Sequence, residues 1–223
     1  MSKIDNDLKL VIFDCDGTLV DGQHMIIDSM KQASINCKIP YAGDDAVRRI
    51  VGLSLLEAIT QVYPGLTSRD HDLIQSEFIS HFRYLRTLED HHEPLYDGIK
   101  DAIITLGDMG ILLGVATGKS TRGLISTLKV HSIEDHFVTL NTADDGPGKP
   151  DPSMINVALS DTGVDKRNTY MIGDTAYDMQ MAALAGVHSV GVTWGNHEKH
   201  ELISSGANHI ISHISELIEL VKD

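Results

Sequence analysis

Asp14 and Asp16 stand two apart in the run Phe13-Asp14-Cys15-Asp16-Gly17-Thr18-Leu19. In extended chain their side chains point to the same side, and two carboxylates held that close repel until a cation or a shared proton relieves them. An exposed Asp-Gly turn would use the same residues, so the pair alone leaves both readings open. Three further clusters carry comparable chemistry. Val115-Ala116-Thr117-Gly118-Lys119 offers a hydroxyl and free backbone N–H groups at the start of a helix, where an anion is favoured, or else a plain N-cap by Thr117 or Ser120. Gly148-Lys149-Pro150-Asp151-Pro152 fixes one ammonium in a rigid turn, suited to a phosphate or simply to solvent. Ile172-Gly173-Asp174-Thr175-Ala176-Tyr177-Asp178 adds two carboxylates that would either complete a charged site or cap a helix.

Each cluster follows a segment that reads as a buried strand. Leu8 to Phe13 is a short, β-branched apolar run. From about Gly22 to Arg86 apolar residues recur instead at helical spacing, as in Met25-Ile26-Met30 and Leu73-Ile74-Phe78-Phe82-Leu85, with Gly43, Gly52 and Pro64-Gly65 as stops. This stretch is expected to be an all-helical insertion. After Pro94 the texture alternates. Helices are predicted over 97–109, 120–128, 151–161, 176–184 and 214–221, and strands over 111–116, 137–140, 169–172, 189–192 and 208–211. The expected fold is α/β, a Rossmann-like parallel sheet covered on both faces, with residues 1–20 and 87–223 as core and 21–86 as helical cap. Ligands of such sheets sit at the carboxyl ends of the strands, where the four clusters fall.

Composition narrows the classes. The 223 residues, 42% hydrophobic and 22% charged, suit a soluble globular chain of one large domain or one with an insertion, and exclude disorder and collagen-like repeats. Asp and Glu number 32 against 18 Lys and Arg, so neither nucleic acid nor a membrane surface is an expected partner. The 12 histidines would cancel most of the formal charge of -14 if protonated, which predicts lower solubility in mild acid. Cys15 and Cys37 are too few for a disulfide scaffold, and Met1 to Leu10 lacks the apolar stretch of a signal peptide. A cytoplasmic protein, monomer or homodimer, is expected.

Taken in order, the clusters resemble the four signature motifs of the haloacid dehalogenase superfamily: Asp14-x-Asp16-Gly17-Thr18, Thr117, Lys149-Pro150 and Gly173-Asp174-x-x-x-Asp178. The helical insertion lies where that superfamily carries its small cap. The resemblance implies an aspartyl nucleophile at Asp14 and an acid–base at Asp16, with the latter kept protonated part of the time by burial and acidic neighbours. It implies Mg2+ held by Asp14, the backbone carbonyl of Asp16 and Asp174, with Asp178 in support. Thr117, Gly118 and Lys149 would bind the phosphoryl oxygens. Dehalogenases lack the acid two residues after the nucleophile, so Asp16 implies phosphoryl transfer. P-type ATPases need membrane spans that this sequence lacks.

Gly52-Leu53-Ser54 is similar to β-phosphoglucomutases, but Leu55 replaces the Arg that follows there. Val192-Thr193-Trp194-Gly195 and the small cap look most like phosphoglycolate phosphatase. The implied activity is magnesium-dependent hydrolysis of a small phosphorylated metabolite, 2-phosphoglycolate first. A mutase, an inorganic pyrophosphatase and a catalytically silent phosphate-binding scaffold are the alternatives. His24, Arg48 and Arg49 on the insertion are candidate specificity residues, or else a solvated helix face. Cys15 is expected in the core, Trp194 near the site mouth, and His91-His92-Glu93 in a hinge rather than a metal site.

Overall fold

The computed structural model describes residues 8–90 and 92–222. Among them six strands form one parallel sheet, β1 (Leu10–Phe13), β2 (Leu112–Ala116), β3 (Thr139–Asn141), β4 (Thr169–Gly173), β5 (His188–Val192) and β6 (His209–Ile211). Their spatial order is β3-β2-β1-β4-β5-β6. The order reverses between β1 and β4, and the crevice beyond such a reversal is where open α/β sheets bind ligands.

Strand alternation divides the core. Val11 and Phe13 of β1, with Leu113 and Val115 of β2, join one apolar cluster, while Leu10 and Ile12, with Leu112 and Ala116, join the other. Helices α5 (Ile99–Asp108), α6 (Thr121–Val130) and α10 (Ser215–Leu220) contribute to the first cluster, and α7 (Ser153–Thr162) and α8 (Ala176–Ala185) to the second. All four residues of β1 are fully buried, as a strand covered on both faces must be.

A third apolar cluster belongs to α1 (Gln23–Asn36), α2 (Asp44–Arg48), α3 (Leu55–Val62) and α4 (Ser68–Leu85). Met30 and Ala33, Val47, Ile59, Ile74 and Phe78 meet there. Capping boxes, Ser54 with Glu57 and Thr67 with Asp70, start α3 and α4. The chain enters and leaves this helical unit side by side: the Asp21 amide donates to Pro94 O (2.8 Å) and the Tyr96 amide to Leu19 O (3.0 Å).

Element boundaries differ from the sequence expectation for local reasons. The helix predicted from Asp151 starts at Ser153, because Asp151 turns back to accept from the Ser153 amide (2.9 Å). The strand predicted over 137–140 runs Thr139–Asn141. Residues 134–136 form a 3-10 turn that sends the Phe137 ring edge-on to Phe13 at 6.5 Å. Helix α9 (Lys199–Ser204) was not predicted; it is six residues long and buries only Leu202, too little for a periodic signal. No helix among the described residues is long and apolar enough to cross a membrane.

Candidate active site

Asp14 follows β1, Asp174 and Asp178 follow β4, and Lys149 arrives from the turn before α7; all four are buried. Lys149 Nζ lies 2.8 Å from Asp14 Oδ1 and 2.6 Å from Asp178 Oδ1. Burial alone would lower the Lys149 pKa, but the Asp14 and Asp178 carboxylates outweigh it and hold the ammonium protonated. Asp174 Oδ1 accepts from Thr18 Oγ1 (3.0 Å), and its Oδ2 accepts from the Asn196 amide (2.8 Å) and Nδ2 (2.7 Å). Asp178 also begins α8, its Oδ2 accepting from the Thr175 amide (3.0 Å) and hydroxyl (2.7 Å).

The carboxylate oxygens of Asp14, Asp174 and Asp178 lie within 4.8 Å of one another. Burial, then neighbouring carboxylates, push Asp14 up to about 8 against the pull of Lys149, and Asp174 up to about 6. Fully ionised, the three carboxyl groups would exceed the single buried ammonium by two negative charges. Asp14 Oδ2 is buried and has no hydrogen-bond partner. An all-oxygen donor set with that surplus and an orphaned oxygen fits a hard divalent cation.

Two glycines permit the close approaches that the site needs. Gly17 has φ +85°, and a Cβ there would stand 2.2 Å from Asp174 Oδ2. A Cβ on Gly118 would stand 2.3 and 2.6 Å from the carbonyl oxygens of Leu53 and Gly52, so the α2–α3 loop rests directly on the loop that carries Thr117. Thr117 is itself buried, its hydroxyl accepting from the Lys119 amide at 3.2 Å.

The Asp16 carboxyl has an acidic neighbour in Glu93, but a cation stands between them: Oδ1 is ion-paired with Lys119 Nζ, which also contacts Glu93 Oε1 at 2.8 Å. The insertion's cations lie elsewhere. Arg49 pairs with Glu201 (2.9 Å), Arg48 pairs with Asp45 (2.9 Å) and donates to Gln23 Oε1 (3.2 Å), and His24 is exposed. None of the three makes a hydrogen bond or ion pair with the Asp14 cluster among the described residues.

Cys15 is fully buried in the core, and burial pushes its thiol well above the usual range. Trp194 Nε1 donates to Thr18 O (3.2 Å), which steadies the loop after β1. His91 lies outside the described residues; His92 is exposed, and Glu93 is bound to Arg86 and Lys119. Sequence reasoning missed Lys119, Glu93 and Asn196 as neighbours of the site. Asn196 links Asp174 to the helical unit, its Oδ1 accepting from Gln23 Nε2 at 2.7 Å.

The sequence pattern of the haloacid dehalogenase-like hydrolases matches residues 11–192. "Probable phosphatase IndB" of Dickeya dadantii (strain 3937) is 31% identical over 94% of this chain and 91% of its own. "Pyrophosphatase PpaX" of Bacillus pumilus (strain SAFR-032) is 27% identical over 97% and 98%. "Phosphoglycolate phosphatase" of Photorhabdus laumondii subsp. laumondii is 26% identical over 99% and 95%. In fold, the chain is similar to the crystal structure of a hydrolase from Pseudomonas syringae, with TM-score 0.85 and 22% identity over 96% of this chain and 98% of that one. The ordered motifs meet at one strand-end site and the family pattern spans most of the sequence, so the chain belongs to the haloacid dehalogenase-like hydrolases and is a phosphatase of that family.

Proposed function

We propose that the protein is a magnesium-dependent phosphomonoesterase acting on a small anionic metabolite, 2-phosphoglycolate first among the candidates, through an aspartyl-phosphate on Asp14. The observation that carries this reading is the Asp14 carboxylate, clamped at Oδ1 by Lys149 and the Cys15 amide and left without a hydrogen-bond partner at Oδ2. Asp14 would attack phosphorus, forming one P–O bond as the ester P–O bond breaks. Asp16 would give the leaving oxygen its proton, then take a proton from the water that hydrolyses the acyl phosphate. Lys149, Thr117 and the Gly118 amide would receive the phosphoryl oxygens.

Asp14, the Asp16 carbonyl and Asp174, with Asp178 in support, would hold the magnesium ion. When bound, it supplies positive charge that offsets repulsion between the carboxylates and the phosphate. Residues 21–86 would act as a cap, and the seating of Gly52 and Leu53 against Gly118 supports a small substrate. With Arg48 and Arg49 engaged elsewhere, a second phosphate would lack a grip from the cap, which weighs against a mutase. The two free cysteines support a cytoplasmic setting.

Phosphate release from a panel of small esters and pyrophosphate, with and without magnesium, tests the reading. Magnesium-dependent release led by 2-phosphoglycolate is expected. Pyrophosphate leading the panel would move the assignment to a pyrophosphatase, as one relative's name suggests.

The carboxylate cluster also predicts a pH signature. With Asp14 at about 8 and Asp174 at about 6, both above the ordinary 3.8, the metal-free protein holds more protons than its unfolded chain between those values. Its stability therefore falls as pH rises from about 4 to about 8. A divalent cation replaces those protons, so its stabilisation grows across the same window. At a hundredfold excess over Kd the gain is about 2.7 kcal/mol, or roughly 5–10 °C in Tm for a chain of this size. Thermal melts at pH 6 and pH 8 with millimolar magnesium check this; a larger shift at pH 6 would contradict it.

A further inference from the structure

Glu93 lies on the return connection from the helical unit, two residues before Leu95 bridges to Val20. Its side chain is 6% exposed, yet it is ionised: burial alone would raise its pKa, but Lys119 and Arg86 outweigh burial and hold it below the usual range. Oε1 meets Lys119 Nζ at 2.8 Å, and Oε2 accepts from Arg86 Nε at 2.9 Å and from Arg86 Nη2. Arg86 caps the end of α4 and also donates to Thr127 Oγ1 of α6 (2.7 Å), while His131 Nε2 contacts Glu93 O (2.7 Å). Glu93 is thus gripped by the last residue of the helical unit on one side and by the core on the other.

Lys119 passes that grip to the site. Of its three N–H donors, one serves Glu93, one serves Asp16 Oδ1, and the ammonium lies over the Phe82 ring at 5.6 Å. Its backbone amide donates to Thr117 Oγ1 at 3.2 Å, in the loop after β2. An ammonium with two carboxylates and a ring around it has little rotational freedom, so it fixes the Asp16 carboxyl at Oδ1 and leaves Oδ2 for proton transfer. A buried trio of this kind is a poor way to add stability, since desolvating three charges consumes most of the Coulomb gain.

We infer that Glu93 is a positioning residue of the reaction: acting through Lys119, it aligns Asp16 with the leaving oxygen, and acting through Arg86 it makes that alignment depend on the seating of the cap. The inference rests on the phosphatase reading above and on Asp16 as the proton donor. The step it serves is the transfer of a proton from Asp16 Oδ2 to the ester oxygen as the P–O bond breaks.

A positioning role can be told from a structural one by the leaving group. An alkyl phosphate expels a strongly basic alkoxide and needs the proton; p-nitrophenyl phosphate expels a phenolate that leaves without it. Comparing kcat/KM confines the readout to the steps through phosphorylation of Asp14. For Glu93→Gln we expect kcat/KM on the alkyl ester to fall by about 10²-fold, the low end of general-acid contributions, and by at least about tenfold less on the nitrophenyl ester. Lys119→Met should give the same selectivity. Glu93→Asp keeps the charge but withdraws the carboxylate by one methylene, so it serves if the glutamine variant does not fold, and a smaller loss of the same selectivity is expected. Equal losses on both esters, or none on either, with a wild type active on both, would overturn the inference alone. A wild type inert toward both esters would overturn the phosphatase reading and this inference with it.

Discussion

Exchanging Asp14 for asparagine is expected to lower turnover by ~10⁴- to 10⁶-fold, the range seen when a covalent nucleophile is removed from a machinery that acts as a unit. The change is nearly isosteric. The amide oxygen still accepts from Lys149 and from the Cys15 amide, which now hold Oδ1 at 2.8 and 2.6 Å. What disappears is the unpartnered oxygen, replaced by an amide nitrogen that cannot attack phosphorus. Because burial already pushes Asp14 up to about 8, a neutral side chain is favoured at this position in the metal-free protein. Stability without magnesium should therefore be at or above wild type at pH 8, where the wild type has lost the stability tied to a neutral Asp14, while the magnesium-induced rise in Tm shrinks. Phosphate release and thermal melts of the same preparation read both effects. Activity within tenfold of wild type would mean that another group forms the covalent bond.

Asp14, Thr117, Asp174 and Asp178 could be picked out of the sequence because each follows a strand or opens a helix, and Lys149 because Pro150 and Pro152 mark its turn. Local runs such as Leu10-Val11-Ile12-Phe13 mark those junctions without any knowledge of distant residues. The α/β order and the helical insertion were legible for the same reason: short continuous apolar runs give way to period 3.6 and back. The environment of Asp16 was not. Lys119 is 103 residues from it and Glu93 lies 26 residues before Lys119, and nothing local announces an ion pair across such separations. Arg49 shows the converse. Its type and place suggested a substrate contact, yet Glu201 of α9, a helix too short to be predicted, takes its charge at 2.9 Å. Asn196 was missed because it follows Trp194-Gly195 in a loop with no periodicity, and only the fold brings it under Asp174.

Replacing Lys149 by methionine should be the most damaging single change to the resting protein. The ammonium is fully buried between Asp14 and Asp178, and removing it leaves a cluster of three buried carboxylates with no cation among them. Breaking a buried ion pair from one side costs about 3–5 kcal/mol, or roughly 6–20 °C in Tm for a chain of this length. Methionine fills much the same volume, so a cavity adds little to that cost. Asp178 has a second attachment through Thr175, which keeps the start of α8 in place, so the loss should fall on the carboxylate cluster rather than on the sheet. The pH dependence has a definite sign. Without the ammonium, Asp14 rises further above its unfolded value, and the variant loses stability progressively as pH climbs from about 4. Magnesium should restore more Tm to the variant than to wild type, because the cation then takes over neutralisation that Lys149 supplied. It should not restore turnover, since the ammonium is also the proposed phosphoryl-oxygen partner and loss of such a group costs ~10²- to 10³-fold. Arginine is no substitute, its planar fork being too large for the space between two carboxylates. Melts of Lys149→Met across pH with and without magnesium decide the matter: a loss below about 1 kcal/mol, the range of exposed ion pairs, would show that the cluster is not held together by this charge.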